Sequence, residues 1–232
     1  MRRKSIIFTK RAVPMLFYKK LVASTEVARG DFLAIPLLQR ALQGDVTKDT
    51  YVAFLSQAYH HVKHTVPLLM NCGSGLPDHL SWLRHATGEY IEEELGHEEW
   101  ILDDITACGG DAASVREASP LPATELMVAY AYDLIQRVNP IGFFGMVFVL
   151  EGTSVQLASL AAEAIKTQLD LPSNAFRYLN SHGALDQDHI KFFENLMDRI
   201  DDIEDQQCII HSAKMFYFLY GNVFRGIAAL MQ

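Results

Sequence analysis

Three potential metal ligands follow one another at helical spacing towards the C-terminal end of the chain: His182, Asp186 and His189. On a helix they fall within about 60° of one another, and the same sector continues as Phe193 and Ile200. The ligand types therefore lie on the apolar face of the predicted helix. Burying two imidazoles and a carboxylate is costly unless each finds a partner or a metal ion. The segment thus predicts either a satisfied polar network or a metal site.

The distance between the two histidines favours two metal ions over one. His182 and His189 are separated by roughly 10.5 Å of helix rise, so a single ion could bind both only with strained side chains. Two ions about 3.5 to 4 Å apart, with Asp186 between the imidazoles, fit this spacing better. Because one helix supplies only one side of such a centre, other helices must supply carboxylates and at least one more nitrogen.

Glu151 is the first candidate for such a carboxylate. It interrupts a long apolar helix predicted from residue 141 to about residue 168, and a charged group is rarely left bare in such surroundings. The alternative is a buried glutamate that is protonated or paired with an arginine. Gly142, Gly145 and Gly152 on the same helix could permit a close approach of neighbouring backbones.

Glu94 and His97 are the second candidate, in an acidic segment. They are three residues apart and can meet on one helix face, with Glu98 or Glu93 as the alternative carboxylate. The competing interpretation is a solvated acidic face, which we expect for Glu92, Glu93 and Glu99. With the C-terminal motif, the candidates total three histidines and three carboxylates, a set that suits iron or manganese before zinc.

Three further histidines, His60, His61 and His64, lie close together on an earlier helix. His60 and His64 share one face and His61 takes another. We interpret them as surface histidines, or as histidines satisfied by their neighbours, and not as ligands.

Helical periodicity must position these residues, and it accounts for most of the chain from residue 31 onward. We find no alternation typical of strands and no internal repeat. The sequence predicts an all-α, compact bundle of seven or eight helices. It forms one domain, residues 1–232, with residues 1–30 as a possible N-terminal arm.

Two boundaries inside this pattern bear on the candidate ligands. One long helix is predicted over residues 80–108, with a possible break near Gly88. Another runs from residue 48 to about residue 70, and Pro67 is expected to kink or end it.

Composition excludes several function classes. The formal charge of −8 and the lack of long basic runs argue against a nucleic-acid or anionic-membrane partner. Three widely spaced cysteines suggest neither a disulfide framework nor a zinc ribbon, so we expect a reduced, cytoplasmic protein. The most apolar run, residues 141–150, is only half as long as a membrane span.

The complete ligand pattern resembles the haem-oxygenase-like di-iron oxidases and oxygenases, and the helix order matches over most of the chain from residue 31. This resemblance implies a compact all-α bundle that uses non-haem iron, two ions per chain, with manganese as a possible substitute. One position departs from some relatives, which have a carboxylate seven residues before the histidine, where this chain has Tyr90. By resemblance, the metal ligands are Glu94, His97, Glu151, His182, Asp186 and His189.

A looser resemblance, through residues 54–59 (FLSQAY), is to the TenA-type thiaminases and the PqqC-type oxidases of the same superfamily. The thiaminases have an aspartate where this chain has Ala58, and their nucleophilic cysteine lies near the position of Glu151. Neither group needs the three ligands of the C-terminal motif together.

The function implied by the resemblance is activation of dioxygen against a small amino-acid, fatty-acid or aromatic substrate. Two alternatives stay open: a TenA-like, metal-independent C–N hydrolase, and a non-enzymatic small-molecule or metal-binding protein of the same fold. The expected partners are the small-molecule substrate and dioxygen, with no nucleic acid, no membrane, and a homodimer as a possible assembly.

Overall fold

The computed structural model describes residues 16–232, apart from the side chains of residues 154–156 and 182–189. Over this part the chain contains helices, turns and loops and no β-strand, as predicted. Several of the predicted long helices are divided by short breaks, so the described chain has eleven α-helices. Their bounds are α1 Phe17–Leu33, α2 Pro36–Leu42, α3 Lys48–Val62, α4 Thr65–Gly75, α5 Ser81–Glu94, α6 His97–Ala107, α7 Ala112–Glu117, α8 Pro122–Asp133, α9 Phe144–Leu169, α10 Arg177–Met197 and α11 Ile203–Leu230.

Helix starts coincide with residues suited to that position. The side chains of Thr47, Asp111 and Asp202 accept backbone N–H groups of the first turns of α3, α7 and α11. Pro36 and Pro122 open α2 and α8, where the missing N–H of proline has no helical partner to lose. Local sequence therefore fixes these starts independently of tertiary packing.

The predicted long acidic helix is broken at Gly96 and not near Gly88. α5 ends at Glu94, Leu95 is extended, and Gly96 has a φ of 88°, in the left-handed region that favours glycine. Gly88 lies inside α5. The break turns Leu95 outward, where 61% of its surface is exposed, although the unbroken periodicity had placed it on the buried face.

The predicted helix over residues 48–70 is also divided, at Lys63 and His64. Pro67 is the third residue of α4, where its missing N–H costs little. In an unbroken helix the ring of Pro67 would clash with the carbonyl group of Lys63, four residues earlier. The chain therefore restarts before the proline, which confirms that Pro67 ends the first helix.

α9 lies at the centre of the fold, with α10, α11 and α2 packed against it. At Gly145 a Cβ atom would lie 2.0 Å from Ser212 Oγ of α11, and that hydroxyl donates a hydrogen bond to the carbonyl oxygen of Gly142. Glycine at 145 is therefore required for the contact between α9 and α11. Around Gly152, by contrast, the described atoms leave open space.

A buried carboxylate connects α6 to α10. Asp104 has no exposed surface, and its two carboxylate oxygens accept the backbone N–H groups of Arg177 and Tyr178 at 3.0 and 2.9 Å. These are the first two residues of α10, so Asp104 caps a helix other than its own. Burial raises the pKa of Asp104 to about 6, although the two hydrogen bonds act in the opposite direction.

Residues 1–15 of the predicted N-terminal arm lie outside the described structure. From Phe17 onward, the segment forms α1, which packs against α11 and buries Phe17, Leu21 and Phe32. In the described part of the chain, no single helix is long and apolar enough to cross a membrane. Residues 140–153 and 157–169, which meet at an angle of 43°, pass that test only as a bent pair.

Candidate metal centre

Glu94 and His97 meet at the junction of α5 and α6, as their spacing predicts. The Nδ1 atom of His97 and the Oε2 atom of Glu94 are 3.1 Å apart, and only 7% and 18% of the two side chains are exposed. Glu94 ends α5 and His97 begins α6, so the left-handed turn at Gly96 sets their relative position. The ring of Trp100 lies against the imidazole, with the ring centres 4.1 Å apart.

This distance fits two ligands of one metal ion. Donor atoms that each lie about 2.1 Å from an ion, at a right angle to each other, are about 3 Å apart. The separation of 3.1 Å between the carboxylate and the imidazole is that of a hydrogen bond, and it is also close to this value. Carboxylate oxygen and imidazole nitrogen are also donors that suit iron and manganese. The pair therefore fits the metal that the resemblance implies.

Glu151, on α9, lines the same cavity as Glu94. Tyr90 on α5 lies beside both carboxylates and is 2% exposed. Burial raises the pKa of Tyr90 above its usual range, and the nearby charge of Glu151, followed by those of Glu93 and Glu94, raises it further. The acidic C-terminal end of α5 and Glu151 on α9 thus face a common space.

The C-terminal motif lies on α10, which packs along α9. The side chains of His182, Asp186 and His189 lie outside the described residues, so their part in the site stays a prediction. Among the side chains that the structure describes, no group of three or more His, Cys, Asp or Glu residues could by itself hold a metal ion. The described half of the predicted ligand set is Glu94, His97 and Glu151.

Three of the other acidic residues of this region form a solvated face, as predicted. Glu92, Glu93 and Glu99 are exposed, and Glu99 forms an ion pair of 2.6 Å with Arg116 on the surface. Glu98 is partly buried, but it does not line the cavity. The cavity-facing carboxylate of this segment is therefore Glu94.

The cavity next to these residues has a volume of about 170 Å³ and is bounded by side chains of α2, α3, α4, α5, α9, α10 and α11. Most of the lining is aliphatic or aromatic. Polar groups in it include His61, Tyr90, Glu94 and Glu151. A largely apolar pocket with a few converging polar groups is the usual form of a small-molecule site.

His61 is a cavity residue that the sequence interpretation missed. His60 and His64 have neighbouring partners, Lys63 at 3.4 Å and the Tyr132 hydroxyl at 3.2 Å, in agreement with the prediction of satisfied histidines. His61 is 3% exposed and lines the cavity. His61 lies seven residues after Phe54 on the same helix face, and Phe54 also lines the cavity, but nothing in the sequence marks this face as a cavity wall.

Gln57, which belongs to the segment that resembles the thiaminases, has a structural role here, and two of the cysteines are buried. The Oε1 atom of Gln57 accepts the backbone N–H of Leu121 at 2.9 Å and the hydroxyl of Thr124 at 2.7 Å, so Gln57 caps α8. Burial raises the pKa of the Cys72 thiol to about 12 and that of Cys108 to about 11. Neither thiol is a reactive nucleophile in this environment.

Solved structures define the class of protein to which this fold belongs. A domain of unknown function with a haem-oxygenase-like fold, from Shewanella denitrificans OS217, matches with a TM-score of 0.80 and 25% identity over 94% of each chain. A TenA homologue from Pseudomonas syringae pv. tomato DC3000 matches with a TM-score of 0.79 and 9% identity over 99% of each chain. Haem oxygenase-1 from the cyanobacterium Synechocystis, solved with haem, matches with a TM-score of 0.70 and 12% identity over 93% of this chain and 96% of that one. The protein is a haem-oxygenase-like helical protein, as predicted.

The family follows from the sequence. A family model described as iron-containing redox enzyme matches residues 52–221, a range that includes all six predicted ligands. The chain therefore belongs to this family of iron-containing redox enzymes. A search of curated proteins finds no significant match.

Proposed function

We propose that this protein is a non-haem di-iron oxidase or oxygenase that activates dioxygen against a small organic substrate held in the cavity. The observation that carries the proposal is the meeting of Glu94 and His97, with donor atoms 3.1 Å apart, beside a cavity that Glu151 also lines. Membership of an iron-containing redox family supports it.

The proposed ligands come from three walls of the bundle. Glu94 and His97 stand at the α5–α6 junction and Glu151 on α9, while α10 carries His182, Asp186 and His189. Bound iron would supply the binding and reduction of dioxygen. The protein would hold the ligands in place: Trp100 packs against the ring of His97, and the Asp104 cap fixes the first turn of α10.

The surroundings of the site would keep water away from the reacting groups. Leu150, Val147 and Met146, on the turn of α9 before Glu151, line the cavity together with Phe143. Apolar walls of this kind strengthen the electrostatic interactions inside them and limit the hydrolysis of reactive species. The substrates in this proposal are dioxygen and a small organic molecule. The proposal also places the protein in the cytoplasm, with a homodimer as a possible assembly.

Metal analysis tests the proposal. Protein purified from iron-supplemented medium and given iron with a reductant should hold close to two metal ions per chain. The variants Glu151→Ala and His182→Ala should lose metal, whereas Glu99→Gln, which changes an exposed carboxylate of the same acidic segment, should keep it. Wild-type protein that binds no stoichiometric metal under these conditions would exclude the di-iron function.

The TenA-like alternative predicts a different outcome. A metal-independent C–N hydrolase would release product from thiamine fragments in the presence of a chelator. The structural role of Gln57 weighs against it. Turnover of these fragments by metal-free protein would favour the hydrolase. If the protein neither binds metal nor turns over the fragments, a non-enzymatic binding protein remains as the explanation.

A further inference from the structure

Tyr220 is a cavity residue that the proposed metal centre does not use. It lies on α11, 9% of its surface is exposed, and it lines the cavity together with Phe224, one turn later. Phe32 stacks on its ring with the centres 5.5 Å apart, and Phe224 and His61 stand nearly perpendicular to it at 5.0 and 5.8 Å. Packing on three sides therefore fixes the direction in which the hydroxyl of Tyr220 points.

The Tyr220 hydroxyl has no hydrogen-bond partner among the residues that the structure describes. In this it differs from two other cavity tyrosines, since Tyr51 donates to the carbonyl oxygen of Ala175 at 2.9 Å and the hydroxyl of Tyr90 lies beside Glu151. The oxygen of Tyr220 nevertheless keeps accessible surface, so the open space beside it is that of the cavity. A ligand group that forms the missing hydrogen bond would remove the free-energy cost of this buried hydroxyl.

The Tyr220 hydroxyl lies apart from the carboxylates of the proposed centre. Burial raises the pKa of both Tyr90 and Tyr220, but the charges of Glu151 and Glu94 further raise only the pKa of Tyr90. Tyr220 is therefore farther from these carboxylates than Tyr90 is. Because both places line one cavity, a single ligand molecule can reach both of them.

The surroundings of Tyr220 favour an uncharged hydrogen-bond acceptor. None of the described lining residues is a lysine or an arginine, so a carboxylate bound at this place would be buried without such a partner. Burial keeps the phenol of Tyr220 neutral, and its O–H group is therefore present as a donor. The carbonyl oxygen of a ketone or an amide accepts this hydrogen bond without bringing a charge into the apolar cavity.

We propose that Tyr220 donates a hydrogen bond to an uncharged carbonyl group of the substrate, and that this contact directs the rest of the molecule towards Glu94 and Glu151. That the carbonyl compound is the substrate rests on the proposed function, whereas its binding by Tyr220 does not. His61 supports the contact by packing against the ring of Tyr220. Tyr220 is thus a positioning residue that selects ketones and amides over hydrocarbons of the same shape.

Two compounds of the same shape test this inference on metal-free protein, in titrations followed by ligand-observed NMR. Cyclohexanone has a carbonyl oxygen where methylenecyclohexane has a CH2 group. In Tyr220→Phe, which removes only the hydroxyl, the affinity for cyclohexanone should fall about 2- to 12-fold, the usual effect of one hydrogen bond. The affinity for methylenecyclohexane should not fall. Tyr217→Phe is the control and should keep both affinities, because Tyr217 is a buried tyrosine of the same helix that lies outside the cavity lining.

The carbonyl stretching band of bound cyclohexanone gives a second readout, which a general change in folding would not move. In isotope-edited infrared spectra the band should lie at lower wavenumber in the wild type and in Tyr217→Phe than in Tyr220→Phe, because the hydrogen bond weakens the C=O bond. Three results would each overturn the inference: an equal loss of affinity for both compounds in Tyr220→Phe, the same band position in all three proteins, or no binding of either compound.

Cyclohexanecarboxylate tests whether the bound group is uncharged. In metal-free protein this anion should bind more weakly than cyclohexanone, and tighter binding of the anion would overturn the inference. The two proposals can fail separately. A protein that never holds iron but shows the cyclohexanone-specific loss in Tyr220→Phe would refute the proposed function and leave the inference standing. A protein that holds two metal ions without this loss would do the reverse.

Discussion

Tyr90 places a phenol where some relatives have a carboxylate. Its ring packs against Phe192 of α10, with ring centres 5.5 Å apart, and its hydroxyl lies beside Glu151 in the cavity wall. A hydroxyl in this place can hold the carboxylate in one orientation, as outer partners of metal ligands commonly do. The residue thus contributes to the site without being counted among the ligands.

Replacing Tyr90 by phenylalanine should weaken metal binding. We expect the affinity for Mn²⁺ to fall about 10- to 100-fold, the usual effect of removing an outer partner of a ligand. Titration followed by calorimetry measures this change. Tyr51→Phe is the control, because its hydroxyl also belongs to a cavity-lining tyrosine but donates to the carbonyl oxygen of Ala175 at 2.9 Å. An unchanged affinity in Tyr90→Phe would contradict the assigned role.

At the scale of the element, the order of the helices explains why the ligands converge. α6 begins with His97, and two turns later Asp104 caps α10, the helix of the C-terminal motif. α9 lies between α10 and α11 and carries Glu151. The Asp104 cap therefore joins the α6 and α10 walls of the proposed centre, and the close approach at Gly145 fixes the α9 wall against α11.

The Asp104 cap should give the protein a characteristic pH dependence. The pKa of Asp104 is about 6 in the folded protein, above the ordinary value of 3.8, because burial favours the protonated form. The folded state therefore binds more protons than the unfolded state between about pH 4 and pH 6, and the contribution of this group to stability falls as the pH rises through that range. In urea unfolding, the difference between wild type and Asp104→Asn should change over this window and level off above it. If the free energies of unfolding of the two proteins change with pH in parallel, the expectation is contradicted.

The glycine contact between α9 and α11 should be sensitive to one methyl group. Gly145→Ala would place a Cβ atom against Ser212, and we expect a loss of about 2 kcal/mol or more in the free energy of unfolding. Gly88→Ala is the matched control, since Gly88 lies in α5 with open space around its Cα. At position 88 alanine should raise the free energy of unfolding by about 0.5–1 kcal/mol. Equal effects of the two substitutions in urea unfolding would disprove the close contact.

At the scale of the whole molecule, metal binding should raise the free energy of unfolding and the melting temperature. A ligand at 100 times its dissociation constant stabilises a protein by about 2.7 kcal/mol per site. For a chain of this size that corresponds to a rise of roughly 5 to 10 °C in the melting temperature. Thermal unfolding with Mn²⁺ and with a chelator should show this difference in the wild type and in Glu99→Gln, but not in Glu151→Ala. A rise in Glu151→Ala equal to that of the wild type would exclude Glu151 as a ligand.

The parts of the fold that sequence could predict are those fixed by local pattern. Periodicity predicted the helical bundle, and the three-residue spacing of Glu94 and His97 predicted their contact even though a break separates them. The position of the break was not predictable, because Gly88 and Gly96 look alike in sequence and only packing selects one. Likewise nothing in the local sequence distinguishes Asp104 from Asp103, and only the packing of α10 against α6 makes Asp104 a buried cap.

The cavity was beyond sequence reasoning for a related reason. Its walls come from seven helices, and a cavity depends on small differences in how closely they pack. Ala41, Ala158 and Ala161 carry no pattern that distinguishes a cavity wall from a tight contact. His61 was assigned to a satisfied or surface position because its neighbours in sequence, and not its neighbours in space, were visible.

The ring contact at His97 has an optical consequence. The chain contains two tryptophans, Trp82 and Trp100, and only Trp100 lies against this imidazole, while Trp82 lies under the guanidinium of Arg199 at 3.9 Å. An open-shell ion bound by His97 would quench the emission of Trp100 by energy or electron transfer over that short path. In a Trp82→Phe variant, Trp100 would be the single tryptophan. Its fluorescence intensity would therefore report how much metal is bound at the α5–α6 junction, without any added dye.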